Sequence, residues 1–187
     1  MGHARAGLVR NALGSLAIVG VVAIIAVGLP RLNRSIPAGK PMAAGAPYTV
    51  GARVSVVPPG GARLDVTKTR PGSQRGTVLF VIGGVRLVLV VTPFDGTLND
   101  AAGRLRNKIT LIAGNQVAGA DRRISTGQGV AGMRGGYTSP GRVGQYAVFV
   151  AHDLTVEVTA SGPDAAVRGL LAALEHSLRS VTFRGGP

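Results

Sequence analysis

The segment TVLFVI-GG-VRLVLVVT, residues 77–92, decides the fold because two apolar runs are joined by two glycines. A Gly-Gly pair between such runs is typical of a two-residue β-hairpin turn. In the second run the residues of both alternating faces are largely apolar, with Arg86 and Thr92 as the polar members. The segment therefore predicts a hairpin whose second strand lies in the centre of a sheet.

Other segments have the alternation of strands or the period of amphipathic helices. A helical apolar spacing follows Thr97, which stands in capping-box spacing with Asp100. A second apolar stripe follows Pro163 and Asp164, a pair typical of a helix start. The predicted strands are residues 48–57, 63–67, 77–82, 85–92, 123–126, 130–137, 145–151, 154–160 and 181–183, and the predicted helices are residues 97–112 and 164–178.

This order of elements predicts an α+β fold. Strands linked by hairpins form an antiparallel sheet, and amphipathic helices bury their apolar stripes against such a sheet. We expect an antiparallel sheet of about six to eight strands, covered by two amphipathic helices and preceded by one transmembrane helix.

The N-terminal part of the chain contains an apolar run long enough to cross a bilayer. No charged residue occurs in residues 11–30, and about 20 helical residues span roughly 30 Å of hydrocarbon. The alternative is a cleaved signal peptide whose cleavage site lies in the small residues 43–46. We predict a short basic cytoplasmic tail at 1–10, a transmembrane helix at 11–29, a Pro- and Gly-rich linker at 30–47 and a basic extracytoplasmic domain at 48–187.

Positive charge flanks both ends of the apolar run. Arg5 and Arg10 precede it, and Arg31, Arg34 and Lys40 come after it. A short basic tail that stays in the cytoplasm makes the run a signal-anchor, which exports the C-terminal remainder of the chain. We therefore predict a single-pass protein of the plasma membrane with its C-terminal domain outside the cytoplasm.

The order hairpin, helix, strands, hairpin, helix and closing strand ends in the segment LRSVTF, residues 178–183. This order resembles the PsbP-like α-β-α sandwich, which occurs in small exported or membrane-attached actinobacterial proteins of unknown role. The resemblance covers residues 48–183. It implies a non-catalytic accessory or binding module, because assembly factors use that fold repeatedly.

Residue patterns of catalytic, cofactor and metal sites are missing from the sequence. The chain has no cysteine, which excludes disulfides, thiolate metal ligands and a cysteine nucleophile. Gly127, Gly129 and Gly132 match the letters of a dinucleotide-binding fingerprint, but residues 133–137 cannot start a helix. Adjacent His152 and Asp153 are typical of a polar hairpin turn rather than of a catalytic pair. We therefore expect no enzyme activity, no cofactor and no metal site.

The chain has a large excess of positively charged residues. The 21 Lys and Arg residues against 8 Asp and Glu residues give a net charge of +13, and such a balance favours anionic partners. Four arginines flank the apolar run, and the remaining 17 basic residues exceed the 8 acidic ones by 9. The predicted patch for an anionic partner consists of Arg104, Arg106, Lys108, Arg122, Arg123, Arg134 and Arg142.

The predicted location decides which partners this patch meets. The protein is integral to the membrane in this interpretation, and its domain meets anionic lipid, a wall polymer or an envelope protein. Nucleic acid is disfavoured because only Tyr137 and Tyr146 lie near these arginines, and single-strand binding relies on stacking aromatics.

The function hypothesis is a membrane-anchored extracytoplasmic accessory or binding module without catalytic activity. Two alternatives stay open from the sequence. One is a cell-envelope enzyme whose site has no local signature, and the other is a cytoplasmic domain of inverted topology that binds anionic partners.

Overall fold

Eleven strands and three helices make up residues 39–184, the part of the chain that the computed structural model describes. The strands are β1 (Gly39–Pro41), β2 (Tyr48–Gly51), β3 (Val54–Val56), β4 (Arg63–Asp65), β5 (Gly76–Ile82), β6 (Val85–Pro93), β7 (Gln116–Ser125), β8 (Ala131–Ser139), β9 (Arg142–Ala151), β10 (Leu154–Gly162) and β11 (Thr182–Phe183). The helices are α1 (Leu98–Thr110), α2 (Asp164–Gly169) and α3 (Leu171–Arg179).

Eight of the strands form one antiparallel sheet in the order β1-β4-β5-β6-β10-β9-β8-β7, and a smaller sheet has the order β11-β3-β2. The predicted hairpin of residues 77–92 is confirmed as β5 and β6. Its turn residues Gly83 and Gly84 have φ angles of 52° and 86°, the left-handed pair that a two-residue hairpin turn requires. As predicted, β6 lies in the centre of the sheet, because it pairs with β5 on one side and β10 on the other.

One face of the large sheet carries the main core, and the small sheet packs on it together with α2 and α3. Phe80 and Leu89 point into this core from β5 and β6, where they are at most 1% exposed. Val54, Leu174 and Val181 belong to the same cluster and come from the covering elements. Burial of aliphatic and aromatic side chains between these layers is the main stabilising contribution.

The opposite face is covered by α1 over the strands β7, β8 and β9. The predicted capping box is confirmed, since the Thr97 side chain accepts from the backbone of Asp100 and the Asp100 side chain accepts from the backbone of Thr97. Leu105 and Ile109 of the helix are buried against Tyr146 and the neighbouring residues of β8 and β9. The cap and this apolar stripe together fix where α1 lies on the sheet.

Strands β8 and β9 pair three aromatic rings with three glycines. The cross-strand partners are Gly132 and Phe149, Gly135 and Tyr146, and Tyr137 and Gly144. In each pair a Cβ on the glycine would collide with the ring of its partner. Each ring therefore lies over the backbone of a glycine and shields the backbone hydrogen bonds there, which glycine cannot cover because it has no side chain.

The prediction of an α+β fold with two covering helices is wrong, because the described residues are mainly β-structure. The helices have only 13, 6 and 9 residues. Strand β7 has 10 residues where the sequence predicted the short strand 123–126, whereas β8 nearly coincides with the predicted strand 130–137. The second predicted helix is interrupted at Leu170, directly after Gly169, a residue of low helix propensity. The three-stranded sheet provides much of the cover that the sequence assigned to that helix.

Residues 39–184 contain no helix that is long and apolar enough to cross a membrane. The predicted tail at 1–10 and the transmembrane helix predicted at 11–29 lie outside the described residues. Strand β1 falls within the range predicted as a linker, and it pairs with β4 of the large sheet. The folded domain therefore begins before residue 48, where the sequence placed its start.

Candidate functional site

The edge of the large sheet formed by β7 and β8 carries a groove that we call the arginine groove. It consists of two adjoining cavities of about 240 and 460 Å³ that share Arg134. Strands β7 and β8 line both cavities, and the C-terminal part of α3 lines the larger one. The residues that define the groove are Arg122, Arg123, Arg134, Gly136, Glu175 and Arg179.

Two arginines of the groove face each other across the strand pair. Arg122 of β7 is the direct cross-strand partner of Arg134 in β8, and a register shift in β7 lies just before this pair, between Ala118 and Arg122. Like charges placed directly opposite each other on a sheet lower its stability. The fold therefore holds Arg122 and Arg134 close together although their positive charges repel each other.

Glu175 of α3 compensates part of this repulsion. Its carboxylate accepts a hydrogen bond from Nη1 of Arg134 and forms an ion pair with it. This hydrogen bond and the charge of Arg134 hold the pKa of Glu175 below its usual value, and the charge of Arg179 adds to the effect. Arg179 lies four residues after Glu175 on the same helix, but the cation that pairs with Glu175 is Arg134 from the sheet.

Hydrogen bonds from its last turn fix α3 against the rest of the domain. The hydroxyl of Ser177 donates to the carbonyl oxygen of Val57 at 2.8 Å, and the amide of Val57 donates to the hydroxyl of Ser180 at 2.8 Å. The amide of Gly127, in the turn between β7 and β8, donates to the carbonyl oxygen of Arg179 at 2.7 Å. Arg179 is thus held next to the β7–β8 hairpin.

Small residues form the floor of the smaller cavity, which Ala118, Gly119 and Gly136 line. The nearest atom that a Cβ on Gly136 would meet lies 3.5 Å away, so the backbone there lies open beneath the groove. A bound molecule can approach such a floor closely, since small residues leave the backbone accessible.

Positive charge predominates in the arginine groove. Four arginines and one glutamate are among the described residues that line it. Within residues 39–184, Arg122, Arg123 and Arg179 make no ion pair, and Arg134 pairs with Glu175. Arginine presents a planar fork of donors that matches carboxylate and phosphate oxygens, so these are the groups that the groove can hold.

The structure divides the seven residues of the predicted patch instead of bringing them together. Arg122, Arg123 and Arg134 lie in the arginine groove. Arg104 and Lys108 lie on α1, at the other face of the sheet. The remaining two, Arg106 and Arg142, are held by protein groups: Arg106 pairs with Asp121, and Arg142 donates to the carbonyl oxygen of Ser161 at 3.1 Å.

Asp121 is a buried carboxylate with two partners. Nη1 of Arg106 and the hydroxyl of Tyr146 both donate to it, and its side chain is 7% exposed. Burial, followed by the hydrogen bond to Asp121 and its charge, raises the pKa of Tyr146 to about 12. This network ties α1 to β7 and β9 and uses Arg106 as a structural cation rather than as part of a patch.

Arg179 and Glu175 are the charged residues of the groove that the site prediction did not include. Both lie on α3, more than 30 residues after β8, and only the packing of α3 brings them to the hairpin. The available signal was their spacing of four residues, which places both on one side of a helix.

Neither histidine of the described residues lines the groove. His152 and Asp153 form the two-residue turn between β9 and β10, with left-handed φ angles of 51° and 56°, as the sequence predicted for a polar hairpin turn. His176 is exposed on α3. In residues 39–184 no three His, Asp or Glu side chains come together in the way a metal site needs.

Comparisons with known proteins show a similar fold but no family. No protein-family model matches the chain, and no curated protein matches it. The crystal structure of LpqN, involved in cell envelope biogenesis of Mycobacterium tuberculosis, is 15% identical with a TM-score of 0.50, and the match covers 77% of this chain and 89% of that one. This likeness shows that the two proteins share a fold.

Two further structures are more distant. The solution structure of cyanobacterial PsbP from Synechocystis sp. PCC 6803 has 11% identity and a TM-score of 0.45, over 57% of this chain and 74% of that one. Protein PA94 of unknown function from Pseudomonas aeruginosa, a putative regulator in its description, has 14% identity and a TM-score of 0.44, over 57% of this chain and 78% of that one. The predicted PsbP-like resemblance thus stands as a distant likeness of fold, and the predicted link to actinobacterial proteins is not shown.

Proposed function

We propose that the described domain is a non-catalytic binding module of the cell envelope and that its arginine groove binds an anionic polymer. The observation that carries this proposal is the pair Arg122 and Arg134, held directly opposite each other with Arg179 close by. Among the described residues that line the groove, Glu175 is the one carboxylate that offsets these charges. A ligand that supplies negative charge would relieve the repulsion that the fold maintains.

The shape of the groove favours a ligand with repeated negative charges over a single small anion. Arg122 lines the smaller cavity, Arg179 lines the larger one, and Arg134 belongs to both. A chain of regularly spaced phosphates or carboxylates can reach the arginines of both cavities at once. Multiple contacts of this kind add up along a polymer, whereas an isolated anion occupies one cavity only.

The envelope location is supported by two arguments. The fold is shared with LpqN, a protein whose description places it in cell envelope biogenesis. The sequence independently predicts an extracytoplasmic domain from the basic residues around the N-terminal apolar run. Outside the cytoplasm an anionic wall polymer is an available partner, and nucleic acid is not.

The test is binding of a fluorescently labelled poly(glycerol phosphate) to the full-length protein at several salt concentrations. The variant Arg122→Gln/Arg179→Gln should lower the affinity by about tenfold or more, since it removes two charge-assisted contacts. The slope of log K against the logarithm of the salt concentration should also become less steep, by between about one and two. The control Lys68→Gln/Arg86→Gln removes the same charge from exposed residues outside the groove and should bind like the wild type. Equal affinities of all three proteins, or equal losses in both variants, would overturn the proposal.

A second variant tests the floor of the groove without changing the charge. Gly136→Ala adds a methyl group that the protein has room for, because its nearest neighbours would be backbone oxygens at 3.5 and 3.8 Å. We expect an unchanged melting temperature and a weaker affinity for the polymer. An unchanged affinity would show that the ligand does not lie against this floor.

Vesicles of anionic lipid test the alternative ligand. If the wild type binds the vesicles but not the polymer, and the Arg122→Gln/Arg179→Gln protein does not bind the vesicles, the groove binds lipid and the polymer is refuted.

A further inference from the structure

A separate pocket lies on the other face of the large sheet, between α1 and strands β6 and β10. We call it the helix pocket, and its volume is about 250 Å³. It is lined by Arg75 from the loop before β5, by Arg104 and Lys108 from α1, and by Thr92, Thr155 and Glu157 from β6 and β10. Thr92 and Thr155 are direct cross-strand partners, so their side chains lie next to each other on the same face of the sheet.

Within the described part of the chain, the hydroxyl of Thr155 has no hydrogen-bond partner, although the residue is only 3% exposed. Buried hydroxyl groups in proteins are nearly always hydrogen-bonded, because an unpaired one loses the bonds it makes with water. Thr155 lines the helix pocket, and a group bound there is placed to supply the missing partner.

The pocket carries more positive than negative charge. Nζ of Lys108 donates to both carboxylate oxygens of Glu157, at 2.7 and 2.9 Å, so these two residues neutralise each other. Glu157 lies on a central strand and is 9% exposed, which makes this pairing necessary. Arg75 and Arg104 make no ion pair within residues 39–184, and they leave the pocket with two uncompensated cations.

Arg104 is held in place without using its hydrogen-bond donors. Its guanidinium lies over the ring of Phe94, with 5.2 Å between its central carbon and the ring centroid. A cation stacked on a ring keeps its N–H groups free at the edge of the guanidinium plane. Phe94, Pro93 and Ala101 also line the pocket, and they give it an apolar wall beside the cations.

We propose that the helix pocket binds a small organic anion, a carboxylate or a phosphate monoester, whose charged group contacts Arg75, Arg104 and the hydroxyl of Thr155. The apolar wall then receives the carbon part of the ligand. A volume of about 250 Å³ lies below the usual range for drug-sized ligands, so the ligand is small. This site shares no lining residue with the arginine groove and does not depend on it.

The test uses Thr155→Val, which replaces the hydroxyl by a methyl group of similar size, in the full-length protein. Without ligand this variant should melt at a temperature equal to or above that of the wild type, because the unpaired hydroxyl is gone. The matched control is Thr159→Val, a half-buried position on the same face of the same strand outside the pocket lining. Arg104→Gln removes one of the two uncompensated cations.

The probes are glycerol phosphate and propionate, titrated at constant ionic strength and followed by calorimetry. We expect Thr155→Val and Arg104→Gln each to weaken binding by about tenfold or more, and Thr159→Val to bind like the wild type. The probe that binds with this dependence identifies the anion as phosphate or carboxylate. The proposal fails if neither probe binds, if Thr155→Val binds as tightly as the wild type, or if Thr159→Val loses binding equally. Loss of binding in Arg122→Gln/Arg179→Gln alone would place the anion in the arginine groove and equally refute the helix pocket.

Discussion

Tyr146→Phe tests the buried network that ties α1 to the sheet. The change removes one of the two hydrogen bonds that Asp121 accepts, at a carboxylate that is 7% exposed. A hydrogen bond to a charged group contributes about 1.5–3 kcal/mol, so we expect the free energy of unfolding to fall by about 2 kcal/mol. For a domain of this size that corresponds to a melting temperature lower by about 4–8 °C.

The same network predicts a pH dependence. The pKa of Tyr146 is raised to about 12 in the folded protein, above its ordinary value of 10.0. Because the pKa of Tyr146 is higher in the folded than in the unfolded protein, its hydrogen bond to Asp121 stabilises the fold fully below about pH 10, and this stabilisation is lost as the pH rises through about 12. The stability difference between the wild type and Tyr146→Phe should therefore narrow between these two pH values.

Urea unfolding followed by circular dichroism measures both effects, at neutral pH and again above pH 10. The control is Tyr48→Phe, because the hydroxyl of Tyr48 makes no hydrogen bond within residues 39–184 and its removal should change little at neutral pH. If Tyr146→Phe is as stable as the wild type at neutral pH, or if the difference is constant up to pH 12, the network does not stabilise the fold as described.

Four further changes test local features of the fold. Asp153→Gly should raise the free energy of unfolding by about 0.5 kcal/mol, because glycine adopts the left-handed φ of 56° without strain and its greater flexibility offsets only part of that gain. Gly84→Ala, at φ 86°, should lower the free energy of unfolding by a similar amount, because alanine is strained there. Thr97→Ala should lower the melting temperature through a loss of about 1 kcal/mol, since it removes the N-cap of α1, and an unchanged melting temperature would contradict that role. Gly135→Ala should destabilise the domain by about 1–3 kcal/mol in urea unfolding, because the added methyl overlaps the hydroxyl of Tyr146, and equal stability would contradict the packing of ring on glycine.

The parts of the fold that the sequence predicted correctly are those with a strong local signal. The Gly-Gly turn at residues 83–84 lies between two apolar runs, and the capping box at Thr97 precedes a helical stripe. In both cases the residues that determine the structure are neighbours in the chain, so periodicity and turn chemistry are sufficient.

The errors arose where distant residues decide the structure. Glycines and alanines of low strand propensity led to the prediction of the short strand 123–126 in place of β7. The glycines of β8 are covered by rings of β9, as Tyr146 covers Gly135 and Phe149 covers Gly132, and this stabilisation comes from tertiary contacts. The constant register of these aromatic and glycine pairs is a signal in the sequence for the pairing of β8 with β9.

The candidate site shows the same limit. Arg122 and Arg134 were predicted as members of one patch, and they do meet across two strands. The sequence could not separate them from Arg104 and Lys108, because the side of the sheet on which α1 packs is not encoded locally. It also could not join Arg179 to them, since that contact depends on how α3 docks beside the β7–β8 turn.

The most direct measurement of the arginine groove is a backbone amide NMR titration of isotope-labelled protein with poly(glycerol phosphate). The proposed function predicts the largest shifts at the amides of the groove floor and its arginines, in particular Gly119, Arg122, Gly136 and Arg179. The turns at Gly83 and His152 lie outside the groove lining and should not shift. Largest shifts at those turns, or no shifts at a polymer concentration that saturates the fluorescence signal, would contradict the proposal that this groove is the binding site.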